Sequence, residues 1–145
     1  YTTMKAMYTA TATSIGGRDG HVKSASGVID IDLRVPKEMG GNGEEGTNPE
    51  ELFAAGYSAC FNGALHLAAS MKRVEIGEAK VTISVSIGKS ERNEEGFEIG
   101  AHIEVEIPGV SQDIADMLVK RAHELCPYSR ATRSNIDVEL VTKVV

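Results

Sequence analysis

Cysteine is scarce in this sequence, tryptophan is missing, and no run of lysine or arginine interrupts a mildly acidic chain. The 145 residues include two Cys and no Trp, and the formal net charge is −6. Nucleic acids and anionic membranes bind basic patches, so the composition argues against either as a partner. A chain of this length, predicted to form a single domain over residues 1–145, buries roughly 70% of its unfolded surface and needs neither a disulfide nor a metal to hold it.

One long stretch, residues 52–71, is nearly uncharged and about the length of a membrane span. It contains Gly, Ser, Asn and His and is rich in Ala rather than Leu, which favours a buried helix over a membrane span. The N-terminus shows no charged-then-apolar leader, so we predict a cytoplasmic protein. In that compartment a cysteine pair is more often catalytic or metal-binding than structural.

Apolar and polar residues alternate in several segments of the chain. The alternation marks residues 29–35, 81–87, 97–107 and 136–140, and a weaker Thr-rich candidate covers residues 8–14. A period of two predicts antiparallel strands that each bury one face. The polar, glycine-bounded segment 88–96 predicts a hairpin loop.

Two helices are predicted between these strands. Asn48 is a good N-cap for the first helix, Pro49 suits its first position, and the apolar run continues to Met71. The second helix spans about residues 111–125 and ends before Pro127. Its expected buried stripe consists of Ile114, Met117, Leu118, Arg121, Ala122 and Leu125.

The order of these elements predicts the fold class. Three strands are expected before the first helix, of which the alternation assigns residues to two, 8–14 (the weak one) and 29–35. Two strands follow the helix, and the second helix and a last strand close the chain. This order favours an α+β fold with antiparallel sheets and the two main helices packed on one face. The first helix is apolar nearly all round, and one small sheet cannot cover it. We therefore predict a symmetric homodimer in which a second copy supplies the cover.

Two cysteines lie on the two predicted helices, Cys60 in the middle of the first and Cys126 at the end of the second. A single buried cysteine is usually a small hydrophobic residue, but this pair is predicted to lie on one face of the same sheet. His123 shares a helix face with Cys126. A metal site that includes Cys60, or a Cys–His hydrolase, is therefore a rival interpretation, although we identify neither a fourth ligand nor an orienting group.

Peroxide chemistry requires a thiolate, because the neutral thiol is a poor nucleophile and free Cys has a pKa near ~8.5. Burial within a helix raises the pKa, so Cys60 needs a cation nearby. Arg18 is the candidate cation. It lies in the turn Gly16-Gly17-Arg18-Asp19-Gly20, which can present its side chain to a pocket.

Three motifs resemble those of the organic hydroperoxide resistance proteins, within the wider Ohr/OsmC group. They are TNPEELFAAGYSACF at residues 47–61, CPYS at 126–129 followed by ATR at 131–133, and GGRDG at 16–20. The likeness extends from about Tyr8 to the C-terminus, with the motifs in the family's order. Arg130 and Ser134 depart from it, because an amide and a glycine are expected there.

The resemblance implies an intertwined α+β homodimer of the OsmC-like type that reduces organic hydroperoxides to alcohols, with no cofactor and no metal. It implies that Cys60 attacks the peroxide and becomes a sulfenic acid, which Cys126 resolves to a disulfide. Arg18 would hold the Cys60 thiolate charged, and Glu50 would orient Arg18. The implied reductants are dithiols, notably protein-bound lipoyl groups.

Glu50 and Cys60 are ten residues apart on one helix, about 15 Å along its axis. Because both cannot contact one arginine within a single chain, we predict that the Arg18–Glu50 pair beside Cys60 comes from the partner subunit. An apolar surrounding predicts a preference for bulky alkyl or lipid hydroperoxides over hydrogen peroxide. The expected walls are Phe53, Ala59, Phe61 and Met71.

Two other classes of protein stay open at this stage. A ligand-binding α+β module would use its cysteines as core residues and predicts unreactive thiols. A structural dimer stabilised by a disulfide predicts a bond that resists mild dithiols. A peroxidase needs instead a bond that forms and breaks in every cycle.

Overall fold

The computed structural model describes residues 4–92 and 95–145. The chain divides into two compact units, Tyr1–Pro49 and Glu50–Val145. The elements in chain order are strands β1 (Ala12–Ile15), β2 (Gly20–Ser24) and β3 (Asp30–Leu33), a 3-10 turn (Lys37–Met39), helix α1 (Pro49–Met71), strands β4 (Lys80–Lys89) and β5 (Phe97–Ile107), helices α2 (Gln112–Leu125) and α3 (Pro127–Thr132), and strand β6 (Val138–Val144). None of the helices in this described part is long and apolar enough to cross a membrane.

The N-terminal unit is an antiparallel sheet in the order β1-β2-β3. The alternation pattern assigned no residues to β2, because Val22 is the one large apolar residue in its sequence GHVKS. The turn from β1 to β2 holds Gly16 and Gly17 at φ of 85° and 61°. This left-handed region suits glycine, so the pair lets the hairpin turn just before Arg18.

The C-terminal unit contains the second sheet, in the order β4-β5-β6. β4 and β5 form the predicted antiparallel hairpin, with Lys80 opposite Glu106 and Lys89 opposite Phe97. Alternate residues of β5 are buried, as a sheet with one covered face requires. They are Ala101, Ile103, Val105 and Ile107.

β6 departs from the expected antiparallel pairing, because it runs parallel to β5. Two helices, α2 and α3, lie between these strands in the chain and return it to the end of the sheet where β5 began. A crossover of this kind joins parallel strands. The predicted α+β class with two main helices is nonetheless confirmed.

Both main helices form where the sequence predicts them, and Ser111 caps α2 by accepting a hydrogen bond from the Ile114 N–H. The expected stripe on α2 is partly wrong. Met117 is 39% exposed, and the buried face is displaced toward smaller residues. That buried face consists of Ala115, Leu118, Val119 and Ala122.

α1 buries one face in the single chain. Leu67 and Met71 on the other side are 51% and 53% exposed, so the expected burial on most sides is not reached in the single chain. The buried face packs with β4, β5 and α2 in one apolar core. Its members are Tyr57, Phe61, Ala64, Leu65, Ala68 and Ala69.

Candidate active site

The fold of the C-terminal unit brings the two cysteines together. Cys60 lies in the middle of α1 and Cys126 follows α2, and their Sγ atoms are 3.6 Å apart with the Cys126 thiol donating to the Cys60 sulfur. Both are free thiols, Cys60 partly buried and Cys126 buried. A disulfide has a sulfur–sulfur distance of about 2.05 Å, so a small approach would join them.

Cys126 occupies the junction between two helices. Its backbone N–H donates to the Ala122 carbonyl at 2.8 Å and so caps the end of α2. Its Sγ accepts a hydrogen bond from the Ser129 N–H at 3.5 Å and so caps the start of α3. Sequence reasoning missed α3, because Pro127 was interpreted only as a stop signal. Proline also suits the first position of a helix, which is where Pro127 stands.

Three influences act on the ionisation of Cys60. Burial is the largest and raises the pKa of its thiol, the backbone N–H of Tyr128 lowers that pKa by donating to the sulfur, and the neighbouring Cys126 thiol raises it. Their sum leaves the pKa above its ordinary value. None of the three is a cation, so ionisation of Cys60 near neutral pH calls for a further positive charge.

Three aromatic rings cluster beside this junction. The ring centroids of Phe53, Tyr57 and Tyr128 lie 5.6 to 5.7 Å apart. Gly56 allows the close approach, because a Cβ added there would lie 2.8 Å from the Tyr128 hydroxyl. The cluster supplies an apolar surface, and sequence reasoning placed only Phe53 in it.

Two of the four residues expected to form apolar walls around Cys60, Phe61 and Met71, lie outside this aromatic cluster. Phe61 is fully buried in the core, with its ring centroid 6.5 Å from that of His123. Met71 ends α1 eleven residues beyond Cys60, roughly 16 Å along the axis. Tyr128, 37% exposed, contacts the Cys60 sulfur through its N–H.

A buried group of polar side chains lies next to Cys126. The Tyr57 hydroxyl contacts Ser129 Oγ at 2.8 Å and Thr132 Oγ1 at 3.1 Å. His123 Nδ1 contacts Ser129 Oγ at 2.8 Å, and Thr132 Oγ1 donates to the Ser129 carbonyl at 3.2 Å. Burial, helped by Arg133, lowers the pKa of His123 and favours its neutral form.

The rival interpretations concern His123 and the two cysteines. Within residues 4–92 and 95–145, no three His, Cys, Asp or Glu side chains are grouped so that they could hold a metal ion. His123 uses Nδ1 to contact Ser129, whereas the Cys126 sulfur contacts the Ser129 N–H and the Cys60 sulfur. The geometry therefore favours a cysteine pair over a Cys–His pair.

Arg18 and Glu50 lie in different units. Arg18 lies in the β1–β2 turn of the N-terminal unit, and Glu50 lies in the first turn of α1. α1 is continuous from Pro49 to Met71, so Glu50 and Cys60 are about 15 Å apart along its axis, as predicted. The roles of Arg18 and Glu50 toward Cys60 stay predictions.

Comparison with known proteins places this chain in a family. Residues 40–141 match the family model for OsmC-like proteins, and the chain belongs to that family. "Organic hydroperoxide resistance protein-like 2" of Staphylococcus epidermidis is 48% identical over 92% of this chain and 94% of its own length. Organic hydroperoxide resistance protein OhrB of Bacillus subtilis is 46% identical over 95% of this chain and 99% of its own length.

A solved structure extends the comparison to three dimensions. An organic hydroperoxide resistance protein from Elizabethkingia anophelis superimposes with a TM-score of 0.92 at 46% identity, covering 98% of this chain and 100% of the other. The family predicted from the three sequence motifs is therefore confirmed.

Proposed function

We propose that this protein is a dithiol-dependent peroxidase that reduces organic hydroperoxides and so protects the cell against organic peroxide stress. The observation that carries the proposal is the pair of free thiols with Sγ atoms 3.6 Å apart, one partly exposed and one buried. The names of its relatives, organic hydroperoxide resistance proteins, support the same substrate class.

The proposed first step is attack by the Cys60 thiolate on one oxygen of the hydroperoxide. The O–O bond breaks, the alkoxide takes up a proton and leaves as the alcohol, and Cys60 becomes a sulfenic acid. Cys60 suits this role because it is the more exposed thiol, whereas Cys126 is 0% exposed. A peroxide from solvent therefore meets Cys60 first.

The proposed second step is attack by the Cys126 sulfur on Cys60. The S–O bond breaks, the leaving hydroxide combines with the proton of Cys126 to form water, and an intramolecular disulfide results. A dithiol then reduces the disulfide by two exchanges and is itself oxidised to a disulfide. Protein-bound lipoyl groups are our proposed reductant in a cytoplasmic setting.

Ionisation of Cys60 needs a positive charge that offsets its burial, and Arg18 is the proposed source. Glu50 would orient Arg18, and both would act from the second subunit of a homodimer. The exposed side of α1, with Leu67 and Met71 more than half exposed, supports a partner there.

An apolar surface beside Cys60 supports bulky substrates. Tyr128 contacts the sulfur through its N–H and packs with Phe53. Burial of an alkyl chain against such rings stabilises the bound substrate, whereas hydrogen peroxide has no apolar surface to bury. We expect tert-butyl or fatty-acid hydroperoxide to be reduced with a higher kcat/KM than hydrogen peroxide, and equal values would contradict the substrate class.

The test is a peroxidase assay with tert-butyl hydroperoxide and dihydrolipoamide, using wild type, Cys60→Ser and Cys126→Ser. We expect turnover in wild type and none in Cys60→Ser. Cys126→Ser should consume one peroxide per Cys60 and then stop, because it cannot form the intramolecular disulfide that the dithiol reduces. A wild type that consumes no peroxide and keeps both thiols reduced would refute the proposal.

A further inference from the structure

A chain of hydrogen-bonded polar groups joins the helix that carries Cys60 to the segment that carries Cys126; Tyr57, Ser129 and Thr132 are buried and His123 is partly buried. Tyr57 lies on α1, three residues before Cys60, and Ser129 lies on α3, three residues after Cys126. Both are 0% exposed. Ser129 is the centre of the chain, because its Oγ contacts Tyr57 and His123 while its N–H donates to the Cys126 sulfur.

Counting hydrogens fixes the direction of these bonds. Four contacts need four hydrogens: His123 Nδ1 with Ser129 Oγ, Ser129 Oγ with the Tyr57 hydroxyl, that hydroxyl with Thr132 Oγ1, and Thr132 Oγ1 with the Ser129 carbonyl. The three hydroxyls supply one hydrogen each. The fourth has to come from His123 Nδ1. Each group then donates to the next, from His123 to Ser129, Tyr57, Thr132 and the Ser129 carbonyl.

The reverse direction, in which Ser129 donates to His123, leaves one of the four contacts without a hydrogen. If Ser129 donated to His123, the Tyr57 hydroxyl would have to donate both to Ser129 and to Thr132, and it has a single hydrogen. Low solvent access makes such a deficit costly, because water cannot replace the missing bond. Among the described residues, the buried side-chain atom that lacks a partner is Asn62 Oδ1, and no atom of this chain of groups is in that position.

We propose that Ser129 and His123 are positioning residues for the second step of the proposed reaction, and that neutral His123 carries its proton on Nδ1. The inference rests on the proposed function. Ser129 fixes the first turn of α3 against Tyr57 and thereby holds the Cys126 sulfur within 3.6 Å of Cys60. His123 donates the hydrogen bond that Ser129 Oγ accepts, and so helps to hold Ser129 in place. Both residues act through Cys126 rather than Cys60, because His123 contacts Ser129 and the Ser129 N–H donates to the Cys126 sulfur, so we expect neither to affect the first step.

The test separates the two steps in a single turnover. One equivalent of tert-butyl hydroperoxide is mixed with reduced protein, and sulfenic acid formation and disulfide formation are followed separately. We expect Ser129→Ala and His123→Leu to form the sulfenic acid within about twofold of wild type and to form the disulfide about tenfold more slowly, the size of effect that one net hydrogen bond gives.

Two variants of matched chemistry sharpen this test. His123→Asn places an amide N–H near the position of Nδ1, so we expect it to restore disulfide formation toward the wild-type rate. His102→Leu removes an imidazole from the outer side of β5, where it pairs with Glu139, and should leave both steps unchanged. A wild-type rate of disulfide formation in Ser129→Ala, or an equal delay in His123→Asn and His123→Leu, would overturn the inference.

A second measurement needs no variant. Imidazole ¹⁵N resonances of the wild-type protein at a pH where His123 is neutral distinguish the two tautomers. A proton on Nδ1 is the expected result, and a proton on Nε2 with bare Nδ1 would overturn the inference. If wild type consumes no peroxide, the proposed function fails instead, whatever the tautomer.

Discussion

Different interactions stabilise each of the two units of the chain. The C-terminal unit buries a continuous core of β5 and helix residues, whereas the described residues of the N-terminal unit bury Leu33 and Thr47 alone. Backbone hydrogen bonds join the strands of that unit, and charged side chains pair on its surface. His21 on β2 contacts Asp30 and Asp32 on β3, and Arg34 pairs with Glu44 at 3.1 Å.

The difference matches the division of work that we propose. A disulfide-forming pair needs sulfurs held within a fraction of an ångström, and close packing provides such precision. A turn between exposed strands suits the role proposed for Arg18, because one flexible side chain has only to bring its charge close to the Cys60 thiolate. Exposed ion pairs contribute at most about 1 kcal/mol each, so the N-terminal sheet is expected to open more readily.

The largest expected effect compares one apolar truncation in each unit. Leu65 is 0% exposed and Ile31 is 42% exposed. We expect Leu65→Ala to lower the free energy of unfolding by about 2–5 kcal/mol through lost burial and a cavity, and Ile31→Ala by about 0.5 kcal/mol or less. Urea denaturation measures both. Equal costs would break the comparison, because the N-terminal sheet would then have a core of its own.

The next effect concerns charge rather than packing. Arg18→Gln should reduce peroxide turnover at neutral pH by at least about tenfold, because loss of a nearby cation favours the neutral Cys60 thiol. The pH profile of Cys60 alkylation should move to higher pH. Arg121→Gln, which removes an equal charge from the exposed Arg121–Glu124 pair, serves as the control. Identical alkylation profiles in both variants would remove Arg18 from the site.

A smaller effect is expected on the exposed side of α1. Leu67→Glu places a charge on the surface that we predict to be covered by the second subunit. It should weaken the dimer by about 1 kcal/mol or more, because the single chain leaves 51% of Leu67 exposed and complete burial of a Leu contributes about 1.5–3 kcal/mol. Sedimentation over a range of protein concentration measures it. A variant that dimerises as tightly as wild type would place the interface elsewhere.

The smallest effect belongs to the surface charges of the N-terminal sheet. Hydrogen bonds to Asp32 and Asp30 raise the pKa of His21, so its contribution to stability is complete below its unfolded pKa of about 6.5 and is lost as pH rises through the higher folded value. The His21 partner lowers the pKa of Asp32. That contribution is present above the unfolded pKa of about 3.9 and is lost as pH falls through the folded value.

Hydrogen exchange of the β1–β3 amides measures this small contribution. Protection in wild type should decline as pH rises through the folded pKa of His21, after correction for the intrinsic exchange rate, while His21→Gln should show no such decline. The same decline in both proteins would assign the pH dependence to other groups.

Much of the fold follows from local signals in the sequence. α1 starts at Pro49, a residue that suits the first position of a helix, Ser111 caps the start of α2, and the β4–β5 hairpin carries alternation on both strands. The parallel pairing of β6 could not be predicted this way, since alternation is the same in parallel and antiparallel strands that cover one face. β2 was not predicted, because apolar and polar residues scarcely alternate in its sequence.

The candidate site divides in the same way. The motifs identified both cysteines, but not the Tyr57–Ser129 contact, which joins residues 72 positions apart in the chain. Such a contact depends on how α3 packs against α1. The sequence did not predict α3, because a proline such as Pro127 can either end one helix or begin the next. The exposure of each thiol likewise follows from tertiary packing.

The most direct test of the central claim is the covalent state of the two sulfurs after one equivalent of tert-butyl hydroperoxide, read by mass spectrometry of the intact chain and its peptides. The account predicts a wild-type chain lighter by two hydrogen atoms, with the peptides of Cys60 and Cys126 joined by a bond that dihydrolipoamide reduces. In Cys126→Ser it predicts one added oxygen on Cys60. An unmodified wild-type chain, or oxygen added to Cys126 with Cys60 unchanged, would contradict it.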